Sequence, residues 1–541
     1  MKLVTVSQMQ KIEKEADAGG LTYDQMMQNA GHGLAEVVAD LFVDDDQLEI
    51  VGLVGPGNNG GDALVALTAL AEEGWKSRAY LVKRKQDALV KQFTEAGGEL
   101  IPSDKNDSFF HLSSFIETAD VLLDGVLGTG IKLPLKKEVA EALSEINDLL
   151  DVLDEPPLVV AVDCPSGTDC DTGEIAEEAI HADLTVTMAA VKQGLLKLSA
   201  FEYVGDLKVV DIGLPADLAS LKDLQTEMAD EDSVAALLPE RALDSHKGTF
   251  GTALIAAGSV NYTGAVMLAS EAAYRSGAGL VQVAIPASIH AAVAGQLPEA
   301  TWILLPHSTG VIASDAAEVL VKNLERATAM LIGPGFGTED TTREFIENLL
   351  AGKSGIKKSS SSIGFVHSAG DEKKDKENRS LPPLVVDADG LRLLSQIKEW
   401  QSKLPAVSIL TPHPGEMSAL TGLPKEEIQE DRQAIASKFA KDWGHVVVLK
   451  GAFTVIASPD GRTTIIPVAS PALARAGTGD VLAGLIVGLR AQGLDAFDAA
   501  VGGAWIHAQA GLYAADDLGA TASVLASDVL DSVADVISDL E

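Results

Sequence analysis

Short apolar runs alternate with helix-length amphipathic segments along almost the whole chain. In the first half, residues 49–54, 77–82, 121–125 and 158–162 read as buried strands, with a helix over 62–74. Two amphipathic helices, 7–18 and 23–42, precede them. A second series of strand-sized runs starts near Thr252, at 252–257, 280–285, 301–305, 329–332, 384–386, 408–410, 446–449 and 454–457. Helices fall between them, for example 264–276 and 480–492. Strands separated by helices imply parallel sheets joined by crossovers, an α/β class. The polar, acidic stretch 214–245 separates the two series, so we expect two domains, 1–220 and 228–541. Residues 352–381 break the pattern with a serine run and a charge run too polar to bury, which reads as a surface insertion. Gly352-Lys353-Ser354 within it is not a P-loop, because Glu347 stands where the first glycine is required.

Length and charge narrow the picture. At 541 residues the chain could hold three or four domains of about 150 residues, but each series suffices for one sheet. Hydrophobic residues are 46%, which excludes wholesale disorder. Acids outnumber bases 79 to 41, a net charge of -38. Such a surface repels nucleic acid and anionic membranes, so we expect neither as a partner. Any phosphorylated ligand must be held locally, by backbone N–H groups, a few cations or a bound metal ion. Cys164 and Cys170 are the only cysteines, too few for a disulfide framework and not spaced as a zinc site. With no apolar leader and no spanning run, a soluble cytoplasmic protein is expected.

Three strand ends of the first half carry chemistry. Gly55-Pro56-Gly57-Asn58-Asn59-Gly60-Gly61-Asp62 follows a strand and opens a helix. Its glycines permit close approach of a phosphate to the helix N-terminus. The next strand ends in Lys83-Arg84-Lys85 instead of the ribose-binding acid, which argues against an ordinary NAD dehydrogenase. Asp124-Gly125-Val126-Leu127-Gly128-Thr129-Gly130 and Asp163-Cys164-Pro165-Ser166-Gly167 end two further strands. Each loop alone is more often a turn than a site. Three converging beyond the carboxyl ends of one parallel sheet, each with an acid or amide, favour a site.

With Met27-Gln28-Asn29-Ala30-Gly31, this set resembles the NAD(P)H-hydrate epimerase domain, the YjeF N-terminal family, over about 215 residues. The resemblance implies a Rossmann-like, doubly wound sheet. It implies contacts to the hydrated coenzyme from Asn58, Asn59, Gly60, Gly61 and Asp62, from Gly128, Thr129, Gly130, Ile131, Lys132, Leu133 and Pro134, and from Asp163 as acid/base. It also implies a potassium ion held by Asn59, Asp124 and Ser166, hard oxygen donors for a hard cation. Ala63 departs from the family's usual glycine, harmlessly at a helix start.

In the second half, Ala476-Gly477-Thr478-Gly479-Asp480 precedes a helix whose amides could stabilise a phosphoryl group in flight. Asp480 is placed to take a proton from an attacking hydroxyl, although alone it would read as an N-cap. Thr411-Pro412-His413-Pro414-Gly415-Glu416, Lys450-Gly451-Ala452-Phe453-Thr454, Gly333-Pro334-Gly335-Phe336-Gly337 and Asp387-Ala388-Asp389-Gly390 end four further strands. Singly, His413 is more often structural and Lys450 more often a solvated lysine. Together with residues 246–251 and 262–265, they resemble the ADP/ATP-dependent NAD(P)H-hydrate dehydratase domain of the ribokinase-like fold. The resemblance implies coenzyme contacts at Ala265, Gly335, His413 and Asp480, with Asp480 catalytic. It implies nucleotide contacts at Lys450, Gly451, Ala452, Phe453, Thr454 and Gly479, and magnesium with ADP or ATP as co-substrate. Asp387 and Asp389 are left as structural or metal-side acids, since Gly390 departs from the usual neighbour.

Both halves together resemble a bifunctional enzyme that repairs hydrated nicotinamide coenzymes, with small-molecule substrates and a homo-oligomeric state expected. The alternative is a ribokinase-like kinase of a small vitamin precursor with an N-terminal ligand-binding domain. GTGD is common to both readings. The HPGE and KGxxT motifs and the fused first half favour repair. A third reading makes the first half a non-enzymatic binding module, against which the joint presence of Asn59, Asp124 and Asp163 speaks.

Overall fold

The computed structural model describes residues 1–43, 48–101, 108–352 and 380–541. The low-complexity stretch expected over 352–381 therefore lies outside the described residues except at its two ends. The chain divides into two compact units, Met1–Met228 and Ala229–Glu541. Among the described residues, no helix is long and apolar enough to cross a membrane.

In the first unit, apolar runs such as Glu49–Val54 and Val121–Gly125 are buried because helices cover both faces of one sheet. Its seven strands run in the order Glu99–Leu100, Lys76–Leu81, Glu49–Val54, Val121–Gly125, Leu158–Val162, Leu184–Met188, Asp206–Val210. All pairings are parallel. The order reverses between Glu49–Val54 and Val121–Gly125, so a crevice opens at their carboxyl ends, the expected place for a ligand. Strand Leu184–Met188 escapes a reading based on strand–helix alternation, because loop rather than helix links Val162 to Leu184.

The helix after Glu49–Val54 begins at Asn58, four residues before the expected start, with Gly57 as its N-cap. The Asn-Asn-Gly-Gly-Asp sequence thus forms its first turn and not a loop. Glycine disfavours helix interiors, yet close packing requires it here. A Cβ on Gly60 would lie 2.1 Å from the Gly55 carbonyl oxygen, and one on Gly55 would lie 1.9 Å from the Val126 carbonyl oxygen.

The second unit is built on a sheet with strands in the order Thr463–Ile465, Val455–Ala457, Val446–Leu449, Ile409–Leu410, Leu384–Val386, Ala329–Ile332, Thr252–Ala256, Leu280–Pro286, Thr301–Leu305. The first three pair antiparallel and the rest parallel. On one face, helices Thr263–Arg275, Thr478–Ala491 and Ala496–Leu518 fill a core rich in alanine. The first two pack at backbone contact. A Cβ on Gly484 would lie 2.3 Å from the Ala269 carbonyl oxygen, and one on Gly488 would lie 2.0 Å from Ser276 Oγ. These contacts advance together along both helices, so the helices run in the same direction with their N-termini side by side. Ala265 and Asp480 therefore stand in the first turns of neighbouring helices.

Gly60→Ala should destabilise the first unit by about 2–3 kcal/mol through this collision. Gly57→Ala meets nothing within 4 Å of the added carbon and should cost under about 1 kcal/mol. Thermal unfolding of the two variants distinguishes them, and equal midpoints would contradict the packing argument.

Candidate active sites

At the switch point of the first unit lies a cavity of about 660 Å³. Asn58, Asn59 and Asp62 reach it from the helix start, Gly128, Thr129, Gly130 and Ile131 from the loop after Val121–Gly125, and Asp163 from the end of Leu158–Val162. Gly60 and Gly61 are buried behind its wall. Lys132, Leu133 and Pro134 follow the loop but are not on the cavity lining.

Asp163 holds φ +65, an unusual conformation for a non-glycine residue and a common one at functional sites. Its Oδ1 accepts hydrogen bonds from Thr187 Oγ1 (3.0 Å) and Met188 N (3.0 Å), and pairs closely with the Lys192 ammonium. These donors all address Oδ1, which leaves Oδ2 for a ligand. Lys192 is 1% exposed and also donates to Thr187 Oγ1 and the Met188 carbonyl. Sequence reading missed it. The available signal was a lysine inside an otherwise apolar run, Ala189–Leu196 apart from Gln193. Glu13 also lines this cavity. Burial and then the Asp163 charge push Asp62 well above the carboxylate range, and burial raises Glu13. The site therefore combines an ion-paired carboxylate with a second carboxyl group whose protonated form is favoured.

Beneath it, Asp124 is completely buried. Ser166 donates to it from its backbone N (2.6 Å) and Oγ (2.5 Å). Burial raises Asp124 to about 6 against these hydrogen bonds, and no cationic side chain contributes. Asn59 Nδ2 is committed to the Leu127 carbonyl at 2.9 Å, so its amide oxygen is the group left over. A buried carboxylate with neutral partners, flanked by amide and hydroxyl oxygens, is a donor set that fits a hard monovalent cation.

In the second unit, Lys450 Nζ pairs with Asp387 Oδ1 at 2.6 Å and lies 3.8 Å from Glu416 Oε2. Asp387 is 1% exposed and also accepts from Thr411 Oγ1 at 2.6 Å. Ala388 beside it holds φ +52, and Asp389 accepts from Gly337 N. Burial works against the Lys450 ammonium, but Asp387 and Glu416 hold its pKa above the usual lysine value. Asp480 faces this cluster from the first turn of Thr478–Ala491. Burial first, then the charge of Asp387, raises it to about 7, with Lys450 opposing and Asp389 and Glu416 adding to the rise.

His413 caps helix Pro414–Thr421, its Nδ1 accepting from Gly415 N at 2.9 Å and Glu416 N at 3.4 Å. This assigns the proton to Nε2, which donates to Glu416 Oε1 at 3.2 Å. Gly335 is buried against Tyr262 and Ala265, so the loop after Ala329–Ile332 meets the start of helix Thr263–Arg275.

Beside the cluster is a second cavity, about 380 Å³, lined by His413, Lys450, Gly451, Ala452, Thr454 and Gly479 among others. Lys450 Nζ lies against Gly479, where an added Cβ would stand 3.5 Å away. The ammonium and the helix N-terminus thus form one positive focus. Phe453 is buried and does not line the cavity. Ala265, Gly335 and Asp480 are likewise off this lining.

The sequence matches two families. Residues 23–194 match the YjeF-related protein N-terminus family. Residues 253–359 and 367–534 match the NAD(P)H-hydrate dehydratase family. The bifunctional NAD(P)H-hydrate repair enzyme of Moorella thermoacetica is 33% identical, over 100% of this chain and 97% of its own. That of Salinibacter ruber is 34% identical, over 95% and 92%. Among solved structures, the ADP/ATP-dependent NAD(P)H-hydrate dehydratase of Bacillus subtilis, co-crystallised with ATP and Mg2+, aligns with a TM-score of 0.47 at 31% identity. It covers 58% of this chain and 99% of its own.

Lys450→Met should leave Asp387 buried without its cation, at a cost of about 3–5 kcal/mol. Thr411→Val removes one hydrogen bond to the same carboxylate and leaves the ion pair in place, so it should cost less, about 1.5–3 kcal/mol. Urea unfolding measures both, and equal costs would remove the ion pair as the main support of this site.

Proposed function

The chain belongs to the family of bifunctional NAD(P)H-hydrate repair enzymes, and we propose how its two sites divide that work. The first site interconverts the R and S epimers of the hydrated coenzyme, and the second dehydrates the S epimer to NAD(P)H. Hydration of the reduced ring leaves a hydroxyl at C6, and hydroxide is a poor leaving group. In the second site, Asp480 takes the proton of that hydroxyl while the terminal phosphoryl group of ADP or ATP is transferred to its oxygen. Phosphate then leaves with the C–O electron pair as the ring nitrogen's lone pair pushes in, C5 gives up its proton to solvent so that its C–H pair becomes the C5–C6 double bond, and the reduced ring is restored beside AMP or ADP. The reading rests above all on Asp480, a carboxylate whose pKa near 7 suits proton abstraction at neutral pH.

The coenzyme's reacting ring is assigned to Ala265, Gly335, His413 and Asp480, and the nucleotide to Gly479 and to Lys450 through Thr454. Four carboxyl groups, Asp387, Asp389, Glu416 and Asp480, act on one another around the single lysine. That surplus negative charge suits a magnesium ion carried on the nucleotide's phosphates. In the first site, Asp163 takes a proton and protonated Asp62 supplies one within the same cavity. Asn59, Asp124 and Ser166 would hold potassium, which supplies fixed positive charge for orienting polar groups of the coenzyme. The alternative kinase reading is not favoured, since the match to bifunctional relatives spans both units.

Asp480→Asn should abolish dehydration, followed by the return of reduced-ring absorbance, while epimerisation of hydrated NADH persists. Surviving dehydration would remove Asp480 as the base. Because its folded pKa is raised to about 7 and the ionised form is the active one, the rate should fall as pH drops through that value. Asp387→Asn removes the neighbouring charge and should move this limb to lower pH. Replacing potassium by tetramethylammonium should slow epimerisation about tenfold or more and leave dehydration unchanged. Equal epimerase rates in the two salts would refute the cation assignment.

A further inference from the structure

We propose that Arg432 is a positioning residue for the nucleotide: its guanidinium, fixed behind the Lys450–Thr454 turn, supplies a positive charge that the phosphates neutralise across Gly451. This rests on the assignment of the 380 Å³ cavity as the nucleotide site. Arg432 opens helix Arg432–Trp443, which packs against the strands on either side of that turn, Val446–Leu449 and Val455–Ala457. Its Nη2 donates to the Leu449 carbonyl at 2.8 Å and its Nη1 to Gln429 Oε1 at 2.7 Å. The guanidinium also lies against Gly451, where an added Cβ would stand 2.9 Å from Nη1, 3.1 Å from Nη2 and 3.3 Å from Cζ. Lys450 is thus bracketed. Arg432 is bonded to the residue before it and set against the residue after it. Gly451 lines the cavity and Arg432 does not, so one glycine separates this cation from the ligand's space.

The charge has no counterpart in the protein. Cations taken out of water are ordinarily paired with acids, and Lys192 and Lys450 follow that rule. Among the described residues, no Asp or Glu is ion-paired with Arg432, and both of its hydrogen-bond acceptors are neutral. The adjacent Asp431 is committed to capping the helix, accepting from Ala434 N at 2.9 Å. Arg432 is the first residue of that helix, at the positive end of its dipole, where a cation is disfavoured. Burial lowers its pKa to about 10 with no acid opposing the shift, and the guanidinium stays charged at neutral pH.

A cation held at such cost behind a turn assigned to phosphates is accounted for by an anion that arrives with the ligand. Lys450 then meets the phosphates directly, and Arg432 acts on them through the thickness of a glycine, where little water intervenes to weaken the field. Because Arg432 touches neither the phosphoryl group in transfer nor the attacking oxygen, its charge serves binding more than the chemical step.

The test is titration calorimetry of the full chain with ADP and with adenosine, in the wild type, Arg432→Gln and Arg432→Lys. Glutamine removes the charge and orphans no acid, while lysine keeps the charge. In Arg432→Gln, ADP should bind about tenfold more weakly and adenosine within about twofold of the wild type, with dehydration showing a raised KM for ADP at nearly unchanged kcat. In Arg432→Lys, ADP affinity should stay within about threefold of the wild type. Equal weakening of ADP and adenosine in folded Arg432→Gln would reduce Arg432 to a support for the turn and overturn the proposal. So would unchanged ADP binding in that variant, or a folded Arg432→Lys protein that loses about tenfold or more in ADP affinity. Each of these leaves the nucleotide site standing, whereas a wild type that binds no ADP would overturn the nucleotide-site reading itself, and this inference with it.

Discussion

A lysine paired with a strand-ending aspartate organises each unit. In the first it is Lys192 with Asp163, and in the second Lys450 with Asp387. Taking a carboxylate out of water is expensive unless a cation and fixed donors compensate it. One lysine compensates one carboxylate, and both clusters hold more than one. Burial and the neighbouring charge push the remainder toward the protonated form, Asp62 well above its ordinary range and Asp480 to about 7. Structural pairing and chemical tuning are therefore one interaction. The same lysine that makes the acid cluster foldable sets which of its members can carry a proton.

The scaffold supplies the precision this requires. In the first unit, backbone contacts through Gly55 and Gly60 lock the helix start against two strand ends. In the second, Gly484 and Gly488 let the Thr478–Ala491 helix approach the backbone of Thr263–Arg275. Small residues at these places remove the side-chain spacer that would otherwise blur the relative position of two helix termini. Asp163 and Ala388, with φ of +65 and +52, show where the chain is bent to aim acids into a cluster.

Much of this was legible in the sequence. Strands Val121–Gly125, Leu158–Val162, Thr301–Leu305, Ala329–Ile332, Leu384–Val386 and Val446–Leu449 have the bounds their apolar runs imply. The loops at strand ends announced the acids, because a parallel sheet brings its carboxyl ends together whatever their separation in the chain. Partners that depend on register were not legible. Lys192 meets Asp163 only because Val162 aligns with Val186 and a two-residue strand, Val191–Lys192, follows. Leu184–Met188 was invisible for the same reason as its connection, which is loop where the α/β pattern supplies a helix.

The net charge of -38 bears on how such sites can bind anionic ligands at all. Both substrates carry phosphates, and the acid clusters add to the repulsion. Attraction must then be local and come from fixed donors set among the acids. The folded chain provides this. The helix starting at Asn58 offers unpaired N–H groups at the mouth of the first cavity, and the helix starting at Thr478 joins Lys450 in the second. Each unit thus sets a helix end beside its acids, so that local N–H donors oppose a charge to which the rest of the surface adds.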